Sequence, residues 1–308
     1  MQPRSAHSRL PRRRVDGVLL LDKPAGVSSN VALQRAKRLY AAEKAGHTGT
    51  LDPLATGLLP LCFGDATKFA QVLLDARKEY VATVRFGVAT TTGDAEGEPA
   101  RTCDASFTRA ELEAVLPRFV GTVAQTPPAH AALKYKGRNY YEYAREGVEI
   151  PRVPREVVIE AIELLDWTPP LVVLRVACGK GTYIRVLAED LAAAVGSCAH
   201  LAALRRTAAG PFALDDAATF EALEAMDALA RDARLLPVDA PLAGVARLDV
   251  DAPTAQALVL GRVGSAPPGA PGHYRCYGPQ GRFLGLVERA GGALRALRLS
   301  RTDGPPEP

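Results

Sequence analysis

Apolar positions along the chain come in short blocks whose period changes repeatedly, and no repeat unit recurs. Residues 18–22 form an apolar block that stops at Lys23-Pro24-Ala25-Gly26, which predicts a strand closed by a turn. Ser28, Ser29 and Asn30 then offer an N-cap for a helix over 31–42. Residues 46–57 are so rich in Gly, Thr and Pro that regular helix and central strand are both excluded, and a helix is expected over 66–74. In 79–87, Tyr80, Ala82, Val84 and Phe86 alternate with Val81, Thr83 and Arg85, the period of a strand. Thr108 followed three residues later by Glu111 is a capping-box pattern and predicts a helix over 108–116. Strands are expected over 157–167 and 171–178, joined at Thr168-Pro169-Pro170, and a helix over 183–195 ending at Gly196.

From about residue 237 the texture changes to short apolar runs separated by Gly and Pro. The runs 274–277, 283–287 and 294–299 look like strands of a small barrel. The pattern therefore predicts an α+β protein with a small C-terminal β domain. Its segments are a basic tail over 1–16, a main domain over 17–236, a small domain over 237–308, and a frayed end from 302.

Composition adds limits. The chain has 308 residues, 47% hydrophobic and 23% charged, which excludes collagen-like, coiled-coil and wholly disordered classes. No apolar run is long enough to cross a membrane as a helix, and the Arg-rich start has no apolar stretch, so a soluble intracellular protein is expected. The net charge is +4, and the tail alone accounts for it, through Arg4, Arg9, Arg12, Arg13 and Arg14 against Asp16. That tail reads as a solvated arm. A nucleic-acid partner must accordingly be argued from local patches and not from the total. Cys62, Cys103, Cys178, Cys198 and Cys276 are odd in number, widely spaced and without C-x-x-C, which speaks against a disulfide framework and a zinc ribbon. The histidines include no H-x-x-x-H pair, and no metal site is readable.

Candidate chemistry concentrates in Gly46-His47-Thr48-Gly49-Thr50-Leu51-Asp52-Pro53-Leu54-Ala55-Thr56-Gly57. A lone carboxylate on such backbone suits a displayed catalytic group. It equally suits a turn, because Asp before Pro is a common turn starter. A phosphate cradle is a weaker third reading, since the G-K-[ST] ending is missing.

Taken with three further stretches in the same order, this segment resembles the bacterial TruB family of tRNA pseudouridine synthases. The stretches are Asp22-Lys23-Pro24-Ala25-Gly26-Val27-Ser28-Ser29, Arg77-Lys78-Glu79-Tyr80, and Gly179-Lys180-Gly181-Thr182-Tyr183-Ile184-Arg185 with Ala199-His200-Leu201-Ala202-Ala203-Leu204-Arg205-Arg206. The resemblance spans about residues 17–212. It implies the pseudouridine synthase fold, a mixed and largely antiparallel central sheet flanked by helices, and a small β-barrel-like, PUA-like domain after it. It implies isomerisation of uridine 55 in the T loop of tRNA, without cofactor, metal or guide RNA, by a cytoplasmic monomer.

The same resemblance supplies roles. Asp52 aligns with the nucleophile, and Arg185 beside it would hold it ionised and aimed. Tyr80 would stack on the extruded base and is a candidate to remove the C5 proton. Tyr183 and Leu204 would line the pocket, Lys23 would contact substrate, and His47 would wedge where the flipped uridine has left its stack. Each has a plainer reading as a strand tyrosine, core leucine or loop histidine.

A nucleic-acid surface has separate support. Tyr135, Tyr140, Tyr141 and Tyr143 are interleaved with Lys134, Lys136, Arg138 and Arg145, a mixture suited to stacking on bases and meeting phosphates. Tyr140 with Tyr143 could instead be core. The region 125–150 corresponds to an insertion of the family that closes over RNA. Two other function classes stay open at this point. One is an RNA-binding module without chemistry. The other is a glycoside hydrolase, for which Asp94 or Glu96 would supply a second carboxylate, although their Thr92-Gly93-Asp94-Ala95-Glu96-Gly97 setting reads first as a turn.

Overall fold

A computed structural model describes residues 11–301, so the first ten residues of the basic tail and the final stretch from 302 lie outside the described residues. The chain begins with β1 (Gly17–Lys23), α1 (Ser29–Leu39), β2 (Ala45–His47), β3 (Thr56–Phe63), α2 (Ala70–Asp75) and β4 (Lys78–Phe86). It continues through β5 (Val88–Thr90), β6 (Pro99–Thr102), α3 (Arg109–Val115) and β7 (Gly121–Gln125). A hairpin of β8 (Lys134–Tyr135) and β9 (Arg138–Asn139) then leads into α4 (Tyr140–Arg145). After it come β10 (Arg155–Thr168), β11 (Leu171–Cys178), α5 (Ile184–Ala194) and β12 (Ala199–Ala209).

The main sheet runs β1-β3-β12-β4-β11-β10-β7, antiparallel at every step except the parallel pair β3 and β12. This is a mixed, largely antiparallel sheet flanked by helices. The continuous apolar run of β1 follows from burial on both faces. Leu19 and Leu21 join the large core with α1 and α5, whereas Val18 and Leu20 join a second cluster with Leu58, Leu73 and Phe212. Local signals match the caps: the Ser28 hydroxyl accepts from Val31 N–H, and Thr108 and Glu111 form the reciprocal capping box.

Three readings need correction. Residues 46–57 are not loop throughout, because Gly46 and His47 lie in β2 and Thr56 and Gly57 open the central strand β3. Gly57 (φ +98°) pairs with Lys23 on one side and Arg206 on the other, and a Cβ there would lie 2.4 Å from the Arg206 carbonyl oxygen. Only glycine allows that approach. Of the tail, Arg13 to Asp16 is not a free arm: Arg13 N–H donates to Ala41 O at 2.7 Å, its guanidinium pairs with Asp232 at 2.5 Å, and Val15 is buried. Finally, Cys103 and Cys198 form a disulfide across 95 residues of sequence, while Cys62, Cys178 and Cys276 are buried thiols.

Beyond β13 (Phe212–Ala213), α6 (Phe220–Ala225) and α7 (Ala228–Asp232), the chain builds a five-stranded sheet. Its strands are β14 (Arg247–Asp249), β15 (Gly264–Ser265), β16 (Gly272–Tyr277), β17 (Phe283–Ala290) and β18 (Ala293–Leu299), with α8 (Ala252–Val259) packed over a core of its own. It joins the main sheet through the Phe69–Phe283 ring pair, Lys68 donating to Leu299 O at 3.0 Å, and Asp65 accepting from Ser300 Oγ at 3.0 Å.

Candidate active site

The loop that carries Asp52 is pinned from several sides, not merely displayed by its glycines. The Ser29 hydroxyl accepts from Leu51 N–H at 2.7 Å and donates to Leu51 O at 3.1 Å. Gly26 N–H donates to Pro53 O at 2.9 Å, and Thr48 N–H to Pro60 O at 3.2 Å. Arg206 Nη2 reaches Gly49 O at 3.4 Å. Satisfying the backbone polar groups of a buried loop in this way leaves it little freedom.

Asp52 opens onto a cavity of about 390 Å³. Tyr80, Tyr183, Ile184, Leu204 and Arg206 are among its walls. Tyr80 comes from β4, Leu204 and Arg206 from β12, and Tyr183 caps the start of α5. Arg185, in the first turn of α5, places Nη2 3.1 Å from Asp52 Oδ2 and Nε 3.7 Å from Asp94 Oδ2. Its Nη1 donates to Thr92 O at 2.9 Å, and its Nη2 to His130 O at 3.1 Å. One buried guanidinium thus ties together the Asp52 loop, the 90–97 turn and the base of the insertion.

The electrostatics depart from expectation. Burial pushes the Asp52 carboxyl above its ordinary range; Arg185 and Lys23 pull it down, but Asp94 pushes it up again, and the balance stays upward. Arg185 therefore aims the carboxylate and offsets only part of the effect of its burial. Two carboxylates on one cation leave an excess negative charge, which opposes ionisation. Asp94 is 3% exposed and its Oδ1 accepts from the Thr92 hydroxyl at 2.5 Å. It stands on Arg185 and outside the cavity lining, so the two-carboxylate hydrolase reading loses its geometry.

Burial also raises Tyr80, with the Arg206 charge opposing, so the phenol enters the cavity neutral. Tyr183 is raised by burial as well. Lys23 does not contact the cavity: it is fully buried and donates to Pro24 O at 2.9 Å and Val27 O at 2.6 Å, with Pro53 O at 3.5 Å. A contact with substrate is therefore replaced by a clamp between the first motif and the Asp52 loop. Burial brings its pKa down to about 8, against the pull of Asp52. His47 ends β2 outside the cavity lining, and burial followed by the Arg206 charge lowers its pKa.

In the insertion, Tyr140 is buried as core, while Tyr135 and Tyr143 meet edge to face at 6.0 Å. Arg138 lies over the Tyr143 ring and pairs with Glu146, and Arg145 lies over Tyr141. Lys136 likewise lies over the Tyr135 ring, so most of the basic groups assigned to phosphates are already engaged within the insertion, whereas Lys134 is exposed.

Residue patterning missed four contributors. Gln125, at the end of β7, accepts from Tyr183 N–H at 3.0 Å and donates to Tyr183 O at 3.3 Å, so it holds the start of α5. Asp94 orients Arg185. Lys78 donates to Leu73, Leu74 and Ala76 carbonyls beneath the cavity. Arg206 lay within a quoted motif, but nothing local marked it as a pocket wall.

Comparison with known proteins identifies the family of the chain. Residues 37–184 match the family model of the TruB family pseudouridylate synthase N-terminal domain. Residues 185–243 match the tRNA pseudouridylate synthase B C-terminal domain, and 245–299 the tRNA pseudouridine synthase II C-terminal model. The chain is 52% identical to tRNA pseudouridine synthase B of Burkholderia mallei over 302 residues, 96% of this chain and 97% of that protein. It is 53% identical to tRNA pseudouridine synthase B of Thiobacillus denitrificans over 293 residues, 94% of this chain and 98% of that one. A chain of the Cbf5-Nop10-Gar1 crystal structure superposes with a TM-score of 0.71 at 24% identity, covering 92% of this chain and 84% of that chain, a likeness of fold. With half its residues shared along nearly the whole length of these relatives, the chain belongs to the TruB family of pseudouridylate synthases.

Proposed function

We propose that this protein isomerises uridine 55 in the T loop of tRNA to pseudouridine, acting as a monomer without guide RNA in the compartment where tRNA matures, the cytoplasm. The observation that carries the reading is the Asp52–Arg185 pair at 3.1 Å on a cavity of about 390 Å³ with Tyr80, Tyr183 and Leu204 in its wall. That volume lies within the range of small-molecule sites, roughly 300–1,000 Å³, and admits one pyrimidine nucleoside. The relatives' names supply the tRNA substrate class.

The uridine must leave its stack to reach Asp52, at a cost of a few kcal/mol. Tyr80 and Leu204 then receive the ring, and Tyr183 the base or ribose. The N1–C1′ bond breaks with its electron pair on N1, while Asp52 either joins C1′ or removes a proton from C2′. The uracil ring turns, C5 joins C1′ as the Asp52–C1′ bond breaks or the proton returns to C2′, and the freed Asp52 carboxylate takes the C5 proton while N1 gains one from solvent. A carboxylate raised above its usual range accepts that proton better than an ordinary one. The neutral Tyr80 phenol is correspondingly assigned to stacking on the base instead of to proton removal.

The test uses tRNA labelled with tritium at uridine C5. Isomerisation releases the label as water, so release by the unaltered protein with none from Asp52→Asn, which still binds tRNA, is expected. No release by the unaltered protein refutes the enzyme reading and leaves an RNA-binding module. Release by both refutes the assignment of Asp52.

A further inference from the structure

Antiparallel pairing of β4 with β12 sets Arg206 directly opposite Tyr80. Arg206 is the largest of the fully buried side chains, at 1% exposure, and its Nε donates to Leu58 O at 2.6 Å. Its guanidinium nevertheless borders the cavity shared by Asp52, Tyr80 and Leu204. Arg185 has two carboxylates on it, whereas Arg206 forms no ion pair among the described residues and rests on neutral partners, the carbonyls of Leu58 and Gly49 and the Tyr80 phenol.

Burying a cation on neutral partners is costly, and an apolar residue of similar volume would serve packing better. A positive charge kept without a counter-ion among the described residues, in the wall of the cavity that holds Asp52, suits a species that becomes negative only during reaction. Isomerisation makes one. When the N1–C1′ bond breaks, its pair delocalises over the uracil ring and its carbonyl oxygens. That charge is discharged when C5 bonds to C1′, and the C5 proton then leaves as N1 takes one up.

We propose that the buried Arg206 guanidinium is the electrostatic counterpart of the detached uracil anion, an inference that rests on the isomerase reading above. The competing role is mechanical, with Arg206 as a tie between the Asp52 loop and β3.

A leaving-group comparison separates the two roles. A T-arm RNA hairpin carries uridine or 5-fluorouridine at the target position, and loss of the N-linked nucleoside is followed in single turnovers by nuclease digestion and mass spectrometry. Fluorine withdraws electrons, makes the departing ring a more stable anion and lessens its need of a cation. Arg206→Gln should therefore slow uridine by about 100-fold, the scale of one preorganised electrostatic donor, but 5-fluorouridine by only about tenfold. Arg206→Lys, which keeps the charge, should stay within about tenfold of the parent on uridine, a far smaller loss than that scale. Equal slowing of both substrates by Arg206→Gln, or none, overturns the proposal. Should Arg206→Gln fail to fold by circular dichroism, a folded Arg206→Lys that loses the 100-fold on uridine overturns it, and one that keeps the rate supports it. If the parent cleaves neither RNA, the isomerase reading itself fails and this inference falls with it.

Discussion

Replacing Arg185 by Met tests whether one guanidinium both holds the site together and directs Asp52. The side chain is 6% exposed and satisfies two carboxylates and two backbone carbonyls. Removing it leaves Asp94 buried without its cation and strands the Thr92 and His130 carbonyls. Breaking a buried pair from one side costs about 3–5 kcal/mol, much of it the uncompensated partner. Arg205, the neighbour of Arg206, is the control. Its guanidinium pairs with Asp22 at 2.7 Å but is 43% exposed, and Arg205→Met should cost less than about 1 kcal/mol. Urea midpoints at unchanged m-value measure both. The rate should fall with stability in Arg185→Met alone. Loss of aim by about 1 Å is worth on the order of 100-fold, and Asp52 loses its strongest charge-favouring neighbour. Its pKa then rises further, so the acid limb of the tritium-release profile moves to higher pH. An Arg185→Met protein as stable as Arg205→Met, with the parental rate and acid limb, would refute the reasoning.

Asp52→Asn should be more stable than the parent at neutral pH, because a carboxyl raised by folding makes its ionised form a cost to the native state. The gain should shrink as pH falls and the parental carboxyl protonates; a gain independent of pH contradicts the assignment. Gly57→Ala should destabilise by about 1–3 kcal/mol and slow catalysis, since its Cβ meets the Arg206 backbone; a neutral urea midpoint would show that β3 and β12 can separate. Lys23 and Lys78 both have pKa values lowered to about 8 from 10.5, so the unfolded chain binds more protons above pH 8. Stability should rise from pH 8 to about 9 and then fall, as the Cys62, Cys178 and Cys276 thiols, raised from 9.0 to about 12, 11 and 11, and then Tyr40 and Tyr277, held near 12 in the fold, ionise first in the unfolded chain; a monotonic decline from pH 8 would count against buried lysines. Protease cleavage within 125–150 should be slowed by tRNA, and equal cleavage with and without RNA would remove closure of the insertion.

Much of the architecture could be read locally. Alternation located β4, the caps located α1 and α3, and the apolar run of β1 announced a strand, because these signals lie within a few residues of one another. β12 escaped because Ala199–Ala209 is rich in Ala, Leu and Arg, which favour helix in isolation. Its place between β3 and β4 is decided by partners more than a hundred residues away. Asp52, Arg185, Tyr80, Tyr183 and Leu204 stood out by motif, and the fold gathers all five around one cavity. Lys23 stood out equally but faces inward.

Sequence alone therefore determined several local elements, which carboxylate is candidate chemistry and which family the chain resembles, since composition, caps and motif spacing are properties of neighbouring residues. Only the tertiary structure decided the charge state and company of those groups. Burial raises Asp52, Asp94 shares its arginine, Gln125 grips Tyr183, and Arg206 lies buried without a counter-ion among the described residues. Desolvation and Coulomb interaction depend on distance in space, and strands far apart in the chain set that distance.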